Sequence, residues 1–219
     1  MFKQSLFAFS LLAFSTFINA DAVTAEALEL TIQGCESCHS DQHNQSAELS
    51  SIAPVLNGMS DWYIEQQQAN FQSGKRAIDG PDQQKIKQAH SAEAIKGEAL
   101  SLVADHYDEL EIRFSQLALT AVHTQTDHTP DLNNGEALFE DQCASCHTSM
   151  IGRFLSDGPE ITHLEAPYLL KELQDMKSGQ RQFQEETKHH RKMVQRLKEM
   201  STQDLIDIVS YINKNAQSL

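Results

Sequence analysis

Four cysteines, in two matched runs, are the residues of this chain best placed for covalent chemistry. The first run reads Cys35-Glu36-Ser37-Cys38-His39 and the second Cys143-Ala144-Ser145-Cys146-His147. Two thiols three positions apart lie along one turn of chain. Both can reach vinyl groups on neighbouring pyrrole rings of one macrocycle and add across them as thioethers. The histidine that follows is then held beneath the ring, where an imidazole nitrogen can ligate iron. This is the attachment chemistry of a c-type haem, and two complete runs predict two covalently attached haem c groups, one per half. His39 and His147 are the expected proximal ligands.

Rival uses of the same residues account for less. Disulfides are the default for paired cysteines in an exported chain, yet they leave both histidines unexplained. A dithiol redox pair needs a strand before the motif, and neither run follows a strand-like segment. A single zinc site would have to join runs 108 residues apart and would also make the histidines coincidental.

The elements around the two runs repeat. Pro54-Val55-Leu56 matches Pro159-Glu160-Ile161, Trp62-Tyr63-Ile64-Glu65 matches Pro167-Tyr168-Leu169-Leu170, and Phe71-Gln72-Ser73-Gly74-Lys75-Arg76 matches Met176-Lys177-Ser178-Gly179-Gln180-Arg181, all at an offset of 105. Tyr107 and Tyr211 match at 104. A constant offset over such distances marks a tandem duplication. Apolar spacing predicts helices throughout: 22–34 and 135–142 lead into the two motifs, and 61–71 and 166–176 are amphipathic, with glycine stops at Gly74 and Gly179. Ser201 opens a last helix carrying Leu205, Ile208, Val209 and Ile212, whose first-half counterpart is 93–107. The Thr, Asp, Asn and Pro130 of 123–134 read as a linker, and the apolar 110–122 as a segment able to pack on both halves. The expected layout is a signal peptide at 1–20, a diverged first domain at 21–113, a connecting segment at 114–134 and a second domain at 135–219.

The signal peptide is expected from Lys3, the apolar run 5–18 and the small Ala20, too short a run for a comfortable membrane span. An uncleaved anchor is the other reading of the same residues. Cleavage would leave a 199-residue exported chain with no other apolar stretch long enough to cross a bilayer. Charge is strongly negative, −14 overall, with 6 basic against 16 acidic residues in 21–113 and 10 against 15 from 114 onward. That balance argues against nucleic acid, whose phosphates need Lys and Arg. It permits electrostatic steering of the first half towards a basic protein partner, and equally serves simply to keep an exported protein in solution.

The motifs, the Pro-x-Leu, Tyr-Ile/Leu and Ser-Gly-x-Arg repeats and the terminal amphipathic helix resemble the dihaem cytochrome c4 family over nearly the whole exported chain. The resemblance implies an all-α fold of two tandem class I cytochrome c domains. It also implies a periplasmic protein that relays electrons between redox partner proteins, within a respiratory chain towards a membrane-bound terminal oxidase or reductase. Peripheral placement at the membrane is compatible with it. In class I domains the distal ligand is usually a methionine, supplied by a loop before the last helix. Met193 stands at that place in the second half, with His189 and His190 as rivals. Met200 and Met176 read as packing, and Met150 is too close to His147 to reach the opposite face.

The first half has no methionine between Gly74 and Tyr107. The place corresponding to Met193 falls near 88–90, which makes His90 the expected ligand and the first haem bis-histidine; Met59 and an open iron are the alternatives. His43 is too near His39, and His106 belongs to the last helix. Gly135 and Phe139 match the small-residue and aromatic pair that lets class I helices cross closely, whereas the first half has Ala27 and Thr31 there. A His/Met site should have the higher potential, so internal electron flow is expected from the first haem to the second. A dihaem enzyme of peroxidase or thiosulfate-oxidising type is the other functional reading; a gas sensor would need an open iron.

Overall fold

The computed structural model describes residues 23–40, 53–76, 83–91, 95–111, 129–148, 150–156, 158–183 and 186–216. Among these the chain is helical, and its one strand-like feature is an isolated antiparallel bridge between Arg76 and Arg181. The expected signal peptide and most of the connecting segment lie outside the described residues.

The first half contributes α1 (Ala25–His39), α2 (Asp61–Gln72), α3 (Gln83–His90) and α4 (Gly97–Asp108). The second contributes α5 (Leu132–Gln142), α6 (Ala144–His147), α7 (Met150–Ser156), α8 (Ala166–Ser178), α9 (Lys188–Glu199) and α10 (Thr202–Ala216). Local chemistry fixes where they start and stop. The Thr24 hydroxyl accepts from Ala27 N at 3.2 Å, and α1 then runs through the whole first motif instead of ending at Gly34. Asp131 accepts from Asn133 N and Asn134 N, so α5 begins three residues before Gly135. At the far ends of α2 and α8, Gly74 and Gly179 take φ of +71° and +85°. Side chains rarely adopt this left-handed backbone, which is why glycine marks both stops. The chain then turns back in the same way twice: Arg76 N donates to Asn70 O at 3.1 Å, and Arg181 N to Asp175 O at 3.0 Å.

Among the described residues the second half supplies most of the core. Leu205, Ile208, Val209 and Ile212 of α10 pack with Phe139 of α5, Tyr168 and Leu169 of α8, and Leu197 of α9. Each such aliphatic side chain contributes about 1.5–3 kcal/mol by leaving water. A Cβ at Gly135 would lie 2.1 Å from the Asp207 carbonyl oxygen, so α5 and α10 cross with their backbones nearly in contact. Phe139 meets Tyr211 at that crossing, ring centroids 5.8 Å apart. In the first half the separate cluster is smaller, with Ile32, Val103 and Tyr107 buried in it. Ala27 is exposed, and the Thr31 hydroxyl is turned onto its own helix, donating to Ala27 O at 2.8 Å.

Candidate haem sites and the interface between them

The two motif histidines are held identically. His147 Nδ1–H donates to Pro159 O at 2.8 Å, and His39 Nδ1–H donates to Pro54 O at 2.7 Å. A carbonyl can only accept, so Nδ1 carries the proton in both rings. Nε2 is thereby left as the bare nitrogen a metal needs, and the ring orientation is fixed as it is in metal-ligating histidines generally. Burial pushes both imidazoles below their usual range, keeping them neutral. The four cysteines form no disulfide. Burial pushes the Cys35 and Cys143 thiols up to about 11, the opposite of the thiolate a dithiol oxidoreductase requires. Behind the second motif the chain passes so close that a Cβ at Gly158 would meet the Cys146 carbonyl oxygen at 2.5 Å.

A cavity of about 220 Å³ opens on the second motif. Cys146, His147 and Pro159 line it together with Ile161, Leu164, Leu169, Leu173, Met176 and Phe183. Met193 lines the same cavity from α9, as do His189, His190 and Lys192. Met193 therefore stands on a helix, not on the loop expected of it: Thr187 starts α9 early, its hydroxyl accepting from His190 N and its own backbone N–H donating to His190 Nδ1. His190 is buried and stacked on Phe183, centroids 3.8 Å apart. Met200 is core, while Met176 is both core and cavity wall.

In the first half His90 closes α3 and its ring centroid lies 6.1 Å from that of His39, the planes at 79°. The gap accommodates one metal atom between two imidazoles, whose nitrogens sit about 2 Å from a bound metal. His90 Nδ1 bonds Gln68 Oε1 at 2.8 Å, and the ring stacks on Phe71 at 4.1 Å. Those two contacts leave Nε2 as the free nitrogen here too. Burial, then the neighbouring His39, lowers the His90 pKa to about 3. Met59 is buried in the core cluster beside Tyr63, and His106 sits edge-on to Tyr107. His43 and the side chain of Met150 lie outside the described residues.

Between the sites is a buried polar cluster whose members are repeat partners of one another. Arg76 donates to Gln67 Oε1 of its own half at 3.0 Å, to Tyr168 Oη of the other half at 2.8 Å, and to Glu172. Arg181 mirrors it, pairing with Glu172 of its own half and donating to Gln67 Oε1 at 2.9 Å and Tyr63 Oη at 3.2 Å across the boundary. Gln182 N donates to Lys75 O at 2.7 Å beside them. Tyr63/Tyr168, Gln67/Glu172 and Arg76/Arg181 are each separated by the repeat offset, so the halves meet about a pseudo-twofold axis. Burial alone would raise the Glu172 carboxyl, but Arg181 and Arg76 outweigh it and hold the group below its ordinary value. Two guanidiniums thus face one carboxylate, and Arg181 Nε is buried without a hydrogen-bond partner among the described residues. Arg181, Glu172 and Tyr63 all line the second cavity. A buried excess of positive charge with a spare donor fits a macrocycle bearing carboxylates. The repeat matches held the two tyrosines and the two arginines; they singled out neither Gln67 nor Glu172 and gave no indication that the copies face each other.

Residues 132–216 match the cytochrome c family model. Two cytochrome c4 structures superpose on the chain at low identity. For the one from Pseudomonas stutzeri the TM-score is 0.57 at 22% identity, over 88% of this chain and 98% of that one. For the one from Acidithiobacillus ferrooxidans it is 0.56 at 18%, over 83% and 98%. The fold is that of a cytochrome c4. A thiosulfate dehydrogenase from Marichromatium purpuratum also superposes, TM-score 0.59 at 18% identity, over 86% of this chain but 39% of that longer one. No curated protein sequence matches this one. The cytochrome c4-like chain carries the cysteines for covalent haem c in both halves, Cys35 and Cys38 in one and Cys143 and Cys146 in the other. Among the described residues no helix is long and apolar enough to cross a membrane.

Proposed function

We propose that this cytochrome c4-like protein is a periplasmic electron relay between two unlike haems. The observation that carries the reading is the matched His–Pro pair, which readies one bare Nε2 in each half next to a pair of thioether-forming cysteines. The haems supply reversible one-electron Fe(III)/Fe(II) chemistry. His39 and His147 hold iron from the proximal side. On the distal side Met193 serves the second haem through its soft thioether, and His90 the first through imidazole. Gln68 and Phe71 orient His90, while Leu169, Leu173 and Phe183 exclude water around Met193. What supports His90 over Met59 is its position one metal atom from His39, against a Met59 packed into core.

Imidazole stabilises ferric iron better than thioether does, so electrons run from the first haem to the second. The acidic first half suits a basic donor, and delivery is towards a membrane-bound terminal oxidase or reductase in a respiratory chain. Export by residues 1–20, with peripheral residence at the membrane, belongs to the same reading. Spectropotentiometric titration with the two haems resolved tests it: the first haem should titrate below the second, and equal or reversed potentials would refute the direction of flow.

The likeness to a thiosulfate dehydrogenase favours a second reading, a dihaem redox enzyme working at the unusually ligated first haem. Thiosulfate consumption with an artificial one-electron acceptor separates the two. A relay shows no turnover above free haem and no carbon monoxide adduct of the reduced protein, because both irons are closed.

A further inference from the structure

The pseudo-twofold cluster is symmetric in every paired residue but one. Tyrosine meets tyrosine and arginine meets arginine, whereas Gln67 stands opposite Glu172. Both occupy the same place: each receives hydrogen bonds from Arg76 and Arg181. The Glu172 side chain is 7% exposed and those of its arginine partners 8% and 6%, so water screens the charge poorly. Contacts lead from it to both haem sites. On one side Glu172 lines the second cavity with His147 and Met193. On the other, the Arg76 guanidinium lies 4.5 Å from the Phe71 ring centre, and Phe71 stacks on His90.

We propose that Glu172 sets the difference between the two haem potentials, its buried carboxylate holding the second haem lower than a glutamine there would. The physical ground is Coulombic. A negative charge in the cavity wall favours the iron state with the extra positive charge, the ferric one, and so lowers the potential. The effect is greatest on the haem whose cavity the carboxylate lines and weaker on the other. Unequal distal ligands open a gap with the second haem higher; Glu172 narrows it. Electron transfer between the halves then proceeds with a smaller driving force and is more readily reversed. Gln67 is the neutral counterpart that leaves the first haem without this adjustment.

The test exchanges the two positions in the full-length haem-loaded protein: Glu172→Gln, Gln67→Glu and the double exchange. The first should raise the second haem's potential more than the first's. The second should lower the first haem's potential more than the second's, and the double exchange should do both. Haem content of two per chain and unchanged ligand spectra certify each variant. If Glu172→Gln fails to retain both haems, Gln67→Glu decides alone through the same pair of potentials. Unshifted potentials, or equal shifts at both haems, overturn the proposal. It rests on the dihaem relay reading, yet fails separately: native spectra with unmoved potentials defeat the role of Glu172 only, whereas a wild-type protein lacking two low-spin haems defeats the relay itself.

Discussion

In the second half, α5 and α10 touch backbone to backbone at Gly135, Phe139 fills the crossing against Tyr211, and a broad apolar cluster surrounds the cavity. In the first, Ala27 is exposed at the corresponding place, Thr31 bonds its own helix, and Ile32, Val103 and Tyr107 form a smaller cluster. Both halves nevertheless keep the motif cysteines, the histidine pinned on a proline carbonyl, and the tyrosine and arginine of the interface. Covalent capture of a cofactor tolerates loose packing because the thioether bonds hold the ring whatever the surrounding helices do. The half for which we propose a histidine as distal ligand is also the half without the close glycine crossing.

Removing attachment breaks this comparison most severely. Cys143→Ala/Cys146→Ala and Cys35→Ala/Cys38→Ala should each reduce haem from two to one per chain by iron and absorbance analysis. The second-half pair should also melt more of the helix, since the large core surrounds that cavity. Next comes the helix crossing. Gly135→Ala drives a methyl into the Asp207 carbonyl and should cost about 3 kcal/mol in denaturant unfolding. Ala27→Val at the matching exposed position should stay within about 0.5 kcal/mol; equal costs would mean that the first half crosses as tightly. The smallest effect is expected at the last helix of each half. Ser201 and Asp204 cap α10 reciprocally, with Asp204 N to Ser201 Oγ at 3.1 Å and Ser201 N to Asp204 Oδ2 at 2.7 Å. Lys96, at the start of α4, makes no side-chain cap. Ser201→Ala should lose about 1 kcal/mol and Lys96→Ser should gain up to that amount.

Covalent chemistry was legible in the sequence because it depends on spacing alone: Cys-x-x-Cys-His needs no tertiary partner to be recognised. The duplication was legible for a similar reason, and it predicted the glycine stops at Gly74 and Gly179, where backbone conformation excludes other residues. Helix ends were read less well wherever a side-chain cap moved them, as Asp131 did for α5 and Thr187 for α9. That is why Met193 was expected in a loop and stands in a helix. The interface was not legible at all. Tyr63, Tyr168 and the two arginines were visible as repeat members and Gln67 and Glu172 were not, and whether two copies face each other or face apart is set by the docking of one half on the other, which no local pattern encodes.

The central claim is that the two irons are unlike, His147/Met193 in the second half and His39/His90 in the first. Low-temperature electron paramagnetic resonance of the oxidised protein, with Met193→Ala and His90→Ala beside it, tests this most directly. The wild type should give two low-spin signals, one of the His/Met kind lost in Met193→Ala and one of the bis-histidine kind lost in His90→Ala. Two His/Met signals, or a high-spin signal from the first haem of the wild type, would contradict it.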